Sequence, residues 1–476
     1  MMLSSVTSSS SQLRLLFCTM EERRWPTLNP CKQKRIKATV VHHNDRLSLL
    51  PYDILLKIWS HLTTKEAASA SLVSRTLKHM WLVHPLLNFE EKKPYTFRLP
   101  SYFMKVRPFV DRVDHIVKHH LGPVIDEFRI DFALRNEYHS HVDNWLAFAF
   151  SKQVKRLEVV LKRDRYCDEW KRYDVKMPIE YQMSSNRFAL TSLCLEFVHL
   201  TEQVIESFLN SFPSLEIFCI RCVHSFTSIR TCSPLLLKHL DVSNCERLHS
   251  IDLCVPHLLT FTCEAQPTAL HFRNASSLSA MSIGSFLCSD FIGCTLDSLL
   301  IYCAQLECLE LKSNLTAPCN LQIEQCPVFP NLKHLTLNVV ADLDASILGW
   351  TPVIKACPVL QKLTLNLEAR PPSECAPARR RYTVRKFDTH PLSSLKTLEI
   401  VGFLGHYVNL ELVEFVIENA DMLDELILDA MSPYVRKNSH KMFAYVPDVR
   451  SLDLESHKIA LELLKKLPQS VKFVCR

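Results

Sequence analysis

Residues 330–338 read Pro330-Asn-Leu-Lys-His-Leu-Thr-Leu-Asn338, and their apolar-x-x-apolar-x-apolar spacing returns along most of the chain. It is first met at Ile125/Phe128/Ile130 and Val154/Leu157/Val159, then at Leu190/Leu193/Leu195, Leu215/Phe218/Ile220 and Leu237/Leu240/Val242. Leu258/Phe261/Cys263, Leu278/Met281/Ile283, Leu306/Leu309/Leu311, Leu332/Leu335/Leu337 and Leu360/Leu363/Leu365 follow. Leu395/Leu398/Ile400, Leu423/Leu426/Leu428 and Val449/Leu452/Leu454 complete thirteen copies, mostly 20 to 29 residues apart. A self-similar period of this length marks a stacked architecture in which no unit can bury its apolar face alone.

The last two apolar residues of each copy alternate as in a half-buried strand. Pro213, Pro256, Pro330, Pro358 and Pro447 each stand two residues before a copy, and Pro234 three before. A proline there ends the preceding helix or turn. The expected fold is α/β, a solenoid with parallel strands on its concave side and helices or loops on the other. The competing reading is a globular α/β protein in which the spacing recurs by chance; thirteen punctuated copies weigh against it. The period lies in the range of leucine-rich repeats and is similar to the irregular kind found in plant F-box proteins. Only Cys245 and Asn314 stand where the strict consensus places Cys or Asn after the strand. Cys232, Cys254 and Cys357, near three of the prolines, suit small buried positions on the convex side.

Ahead of the repeats, residues 45–85 carry a different pattern. Pro51 fits the first turn of a helix, and Leu55, Ile58, Trp59 and Leu62 behind it fall on one stripe. Thr63-Thr-Lys-Glu66 has capping-box spacing. Val73, Leu77, Met80 and Trp81 then predict a third helix. Three short helices can hardly bury their own apolar residues, so a partner surface is expected. Asp45-Arg-Leu-Ser-Leu-Leu-Pro51, the helix stripe, Lys65-Glu-Ala67, Val73-Ser-Arg75 and Trp81 together resemble an F-box of plant type. Leu77 departs from the Trp often found there and stays apolar. The resemblance implies binding to a Skp-type adaptor and, through it, to a cullin. By the same resemblance, Leu50, Pro51, Ile54, Leu55, Ile58, Leu62, Val73 and Trp81 are the candidate adaptor-binding residues, some of which must instead pack the helices together.

Composition narrows the function classes. The 476 residues are 47% hydrophobic and 22% charged, with a net charge of +6, which is ordinary for a globular chain and does not argue for nucleic acid. Six glycines cannot build GxGxxG, GxxxxGK[ST] or GxSxG, whose chemistry needs glycine where backbone approaches a ligand or turns sharply. No catalytic residues and no cofactor are expected. Nineteen cysteines spread from Cys18 to Cys475 read as reduced and mostly buried, in the nucleus and/or cytoplasm. No apolar run of eighteen residues points to a membrane span.

The remaining segments are read individually. Residues 1–44 are expected to be a disordered tail; its Ser-rich, acid-poor opening allows a weak transit peptide, and Met20 an alternative start. Lys32, Lys34, Arg35 and Lys37 form a basic cluster that suits a solvated tail or nuclear import. Residues 86–124 are expected to be a helical linker. Within it, His115 and His119 have chelating spacing, but Ile116 replaces the Glu of HExxH. Cys219-Ile-Arg-Cys222 is a CxxC without a second pair at zinc spacing. No metal site is expected from either. Repeats occupy residues 125–391, with a basic, Pro-rich insert at 369–391 that suits a solvated loop or a grip on an acidic partner.

Residues 392–476 close the chain. Leu395–Ile400, Gly402-Phe-Leu-Gly405, the helix ending Glu418-Asn-Ala420 and Leu423–Leu428 predict strand, turn, helix and strand. They resemble the FBD module of plant F-box/leucine-rich-repeat proteins. With it, the resemblance covers roughly residues 45–455. It implies a substrate-recognition subunit of an SCF-type ubiquitin ligase, holding an unknown target protein on the solenoid. Two other classes are weighed: a hormone-like small-molecule receptor of the same architecture, or a binding scaffold outside ubiquitination. An enzyme with an unfamiliar site is disfavoured by the glycine count.

Overall fold

The computed structural model describes residues 50–70, 77–90, 99–134, 136–161, 172–175, 189–265, 269–284, 302–315, 326–342, 345–370, 392–403, 405, 407–431 and 454–476. The tail 1–44, Val73, Pro447 and the insert beyond Arg370 lie outside them.

Helix α1 (Tyr52–Trp59) begins directly behind Pro51, which occupies its N-cap position with φ −53° and ψ 147°. Helix α2 (Thr64–Ala70) starts on a formed capping box. The Glu66 amide donates to the Thr63 hydroxyl at 3.2 Å, and the Thr63 amide donates to the Glu66 carboxylate at 2.8 Å. The described part of the expected third helix, Leu77–Val83, is a 3₁₀ helix rather than an α-helix. Leu55, Trp59, Ala67 and Met80 form a small core of their own, with Leu50, Leu56 and Leu62 packed against it.

Beyond this unit the chain forms strands β1 (Leu86–Glu90), β2 (Glu127–Asp131), β3 (Arg156–Val160), β4 (Ser192–Glu196), β5 (Ile217–Arg221) and β6 (Ser228–Pro234). They are followed by β7 (His239–Ser243), β8 (Ser250–Cys254), β9 (Thr260–Glu264), β10 (Ala269–Arg273), β11 (Ala280–Gly284) and β12 (Cys308–Leu315). The last are β13 (His334–Asp342), β14 (Lys362–Arg370), β15 (Thr397–Val401), β16 (Glu425–Asp429) and β17 (Lys472–Cys475). Fourteen of these make one sheet in the order β1-β2-β3-β4-β5-β7-β9-β11-β12-β13-β14-β15-β16-β17. The described pairings are parallel, as between Leu309 and Leu335 or Leu335 and Leu363. Twelve of the thirteen repeat copies form successive strands, and their apolar residues build one core running from Leu87 to Val471.

Both ends of the sheet correct the sequence reading. Residues 86–124 are not only a helical linker, because β1 opens the sheet there and pairs with β2. The unit is His84/Leu87/Phe89, with a buried histidine in the first apolar slot. At the other end, Leu454 of the thirteenth copy opens a helix, α8 (Leu454–Lys466), while Val449 and Leu452 lie outside the described residues. The strand that follows β16 is β17, where Phe473 and Cys475 sit opposite Leu426 and Leu428. The insert boundary also shifts, since residues 369 and 370 belong to β14.

Repeat length decides what lies behind the sheet. Copies 25 to 29 residues apart leave room for α4 (His139–Ser151), α5 (Glu202–Ser211), α6 (Thr351–Lys355) and α7 (Tyr407–Asn419); α3 (Leu99–His119) fills the longer first interval. In α5, Thr201 caps the helix by accepting from the Val204 amide, and Ile205, Phe208 and Leu209 face the core. Between β5 and β11 the copies are only 20 to 22 residues apart, too short for a helix and its two turns. There β6, β8 and β10 form a second, three-stranded parallel sheet instead. Cys232 and Cys254 lie in β6 and β8 and are exposed and half-buried, so of the three convex-side cysteines only Cys357 is buried. Of the twelve described cysteines four are buried, fewer than expected.

The chain leaves its strands through left-handed residues. Phe197, Cys222, Asn244 and Asn274 each follow a strand with φ between 54° and 61°. Glycine takes this position after β15, where Gly402 has φ 84° and Gly405 follows with 71°, the turn that the FBD-like segment predicts. Cys245 is buried and its thiol meets the carbonyl oxygens of Ser243 at 3.4 Å and Ile220 at 3.7 Å, tying adjacent turns together. Asn314 has a different place, inside β12 and paired with Val340.

Candidate adaptor-binding face and open sheet surface

Helix α1 divides its apolar residues between two faces. Leu55 and Trp59 are 3% and 2% exposed and turn inward. Ile54 and Ile58 are 43% and 36% exposed and turn out, with exposed Pro51 one turn ahead. Residues 51, 54 and 58 follow helical spacing, as do 55, 59 and 62, about 100° further round. The predicted stripe therefore splits: Ile58 leaves it for the outer face.

The other described candidate residues have internal tasks, and Val73 lies outside the described residues. Leu55 belongs to the small core, and Leu50 and Leu62 pack against it. The half-buried Trp81 indole stacks on the His115 ring of α3, with centroids 6.2 Å apart and planes 14° apart, which fastens the helical unit to the solenoid. His119 closes the local arrangement, its Nδ1 2.7 Å from the His115 carbonyl oxygen. No group of three metal-ligating side chains occurs among the described residues.

The junction between helical unit and solenoid is hydrogen-bonded. The Thr64 hydroxyl donates to the Leu86 carbonyl at 3.0 Å and accepts from the Asn88 amide at 2.9 Å, covering the free edge of β1. The Leu121 amide donates to the Leu82 carbonyl at 2.7 Å, and that of Asp126 to the Pro85 carbonyl at 2.9 Å. His84 and His120 are buried beside one another, with His120 Nε2 3.1 Å from the His84 carbonyl oxygen. Burial holds the His84 imidazole down to about 4 and lowers His120 as well.

On the open face of the sheet, the residue between the last two apolar positions of each copy points outward. Arg129, Glu158, Cys194, Cys219 and Asp241 follow one another on β2, β3, β4, β5 and β7. Arg129 reaches Glu158 at 3.3 Å, Asp131 at 3.4 Å and Glu90 at 3.8 Å, spanning three strands. Arg221 holds Asp241 at 2.7 Å. Lys312 is buried between Glu264 and Glu310, and Asn338 donates to Glu310 at 2.6 Å. Asn366 continues the chain of contacts by donating to Asn338 at 2.8 Å. These charges are paired across strands, so the surface is polar and preorganised. The alternation within each copy was the available signal for this ladder, but it carries no name for what binds.

No helix among the described residues is long and apolar enough to cross a membrane.

A parallel-strand solenoid carrying a three-helix unit at its N-terminal edge defines the class: a repeat protein with a separate helical module. Comparison with known families agrees. Residues 47–89 match the F-box domain, and residues 180–475 match the leucine-rich-repeat domain described as At1g61320/AtMIF1, LRR domain. Among Arabidopsis thaliana proteins, the chain is 25% identical to the F-box/LRR-repeat protein At3g03360, over 68% of this chain and 70% of that one. It is 23% identical to the FBD-associated F-box protein At1g66310, over 83% of this chain and 92% of that one. The chain belongs to the F-box/leucine-rich-repeat family with the At1g61320/AtMIF1 type of repeat domain.

Proposed function

We propose that the chain is a substrate-recognition subunit of an SCF-type ubiquitin ligase, docking a Skp-type adaptor through α1 and a target protein through the open face of the sheet. The observation that carries this reading is the outward pair Ile54 and Ile58, exposed on a helix whose opposite face is already buried. Two branched apolar side chains left in water beside Pro51 suit a partner that removes them from it. The family supports the coarser part, since F-box/leucine-rich-repeat proteins generally serve as substrate adaptors rather than as enzymes. Tethering a target near the conjugating enzyme acts through effective concentration and needs no catalytic residue in this chain. A grip of the basic insert on an acidic partner, the cullin contact through the adaptor, and a nuclear or cytoplasmic site of action belong to the same proposal.

Co-precipitation with a Skp-type adaptor and a cullin tests it. Ile58→Asp is expected to abolish adaptor capture while the chain stays folded, because losing a buried anchor costs about 2 kcal/mol or more, roughly thirty-fold in affinity. Equal capture by wild type and Ile58→Asp would remove this helix face from the proposal.

A further inference from the structure

The open face also carries two thiols that the ligase reading does not use. Cys194 on β4 and Cys219 on β5 are register partners in a parallel pair, and both are free and half-buried. Their neighbours in sequence, Leu193, Leu195, Phe218 and Ile220, are buried, so both thiols project outward from the sheet. Adjacent strands lie about 4.8 Å apart, inside the span of about 4.4–6.8 Å between Cα atoms that a disulfide bridges. Glu158 and Asp241 stand on the flanking strands in the same row. Arg221, two residues beyond Cys219, lies beside both thiols and is paired with Asp241.

The two sulfurs are unequal. A hydrogen bond from Cys194 favours the thiolate of Cys219, and Arg221 adds to it, against burial and the nearby carboxylates. The same hydrogen bond, with burial, moves the acidity of Cys194 the other way. Elsewhere burial pushes the thiols of Cys222, Cys263 and Cys326 up to about 12 and that of Cys303 to about 11. A partly exposed, anion-favoured sulfur beside a second thiol and a guanidinium is the setting in which a cysteine is oxidised selectively.

We propose that Cys194 and Cys219 form a reversible dithiol–disulfide site oxidised by hydrogen peroxide, with Cys219 attacking and Cys194 resolving. The Cys219 thiolate attacks one peroxide oxygen, the O–O bond breaks, and a sulfenic acid forms while the departing hydroxide takes a proton to become water. The Cys194 sulfur, on losing its proton, attacks the sulfenic sulfur, the S–O bond breaks, and a second water leaves with the disulfide formed. In sum, two thiols and one peroxide give one disulfide and two waters. Two equivalents of a small thiol such as glutathione return the pair to thiols and become the oxidised dimer. A bridge between neighbouring strands on an accessible face is of the labile, exchangeable kind. The site requires only these two side chains and stands whether or not the chain serves a ligase.

The intact chain is exposed to a small excess of hydrogen peroxide, free thiols are alkylated, and the digest is read by mass spectrometry. The expected result is a linked pair of peptides containing Cys194 and Cys219, lost again after glutathione. Without peroxide, Cys219 is expected to be alkylated faster than Cys194 near neutral pH. In Cys194→Ser, a dimedone adduct at Cys219 should replace the linked pair. The proposal is overturned if both thiols remain fully alkylable after peroxide, or if Cys219 links mainly to another cysteine. It is equally overturned if Cys219 passes to irreversible oxidation without a linked pair in the wild-type chain.

Discussion

A single side chain on α1 has one of two tasks, and the choice sets what its loss does. Leu55 is among the few apolar residues holding the helical unit together. Leu55→Ala is expected to lower stability by about 2–5 kcal/mol, seen as early melting of this unit by circular dichroism and hydrogen exchange. Ile58→Asp, on the outer face, should leave that melting nearly unchanged. The buried histidines at the junction act through pH. The folded pKa of His84 lies near 4, below the ordinary 6.5 of an unfolded chain. The unfolded state therefore takes up its proton first, so the contribution of a neutral His84 is complete above about pH 6.5 and is lost as pH falls towards 4. His120 shifts in the same direction, with Lys152 adding to the unfavourable charge. Melting temperature should fall across this window, and His84→Leu should flatten the fall; an unchanged slope would assign it to other groups.

At the scale of the element, strand exits carry the strain of the fold. Gly284 closes β11 with φ 134°, and a Cβ there would overlap the backbone of Lys312 on β12. Gly284→Ala is expected to cost about 1–3 kcal/mol from backbone strain alone, and to disturb the Lys312 contacts with Glu264 and Glu310. A lowered midpoint in urea with faster amide exchange in β11 and β12 is the signature. The capping box of α2 is a smaller device. Thr63→Ala removes the acceptor for the Glu66 amide and should cost about 0.5–2 kcal/mol, confined to the helical unit.

For the whole molecule, the contact between helical unit and solenoid matters most, because the proposed function requires an adaptor on one and a target on the other to be held at a fixed separation. The Thr64 hydroxyl serves both the Leu86 carbonyl and the Asn88 amide. Thr64→Val keeps the shape and leaves two part-buried backbone groups unpaired, at a cost of about 1–3 kcal/mol. Limited proteolysis should then release the helical unit before the solenoid is cut; identical cleavage of wild type and variant would show that the stacking of Trp81 on His115 suffices.

The periodic placement of leucine settled the parallel sheet and its direction, because each copy must bury the same face against its neighbour. The motif of residues 45–85 likewise specified the helical unit, down to the capping pair Thr63 and Glu66. What remained illegible depended on which atoms meet across the fold. His84 takes a leucine's slot because a buried neutral imidazole can fill it, and this hid β1. Ser470 stands in the first slot ahead of β17 and hid the last strand. Ile54 and Ile58 resemble Leu55 and Trp59 in composition, yet only packing against α2 and Met80 decides which pair is buried and which is left exposed. The pairing of Cys194 with Cys219, twenty-five residues apart, likewise exists only through strand register, since register alone places one thiol beside the other.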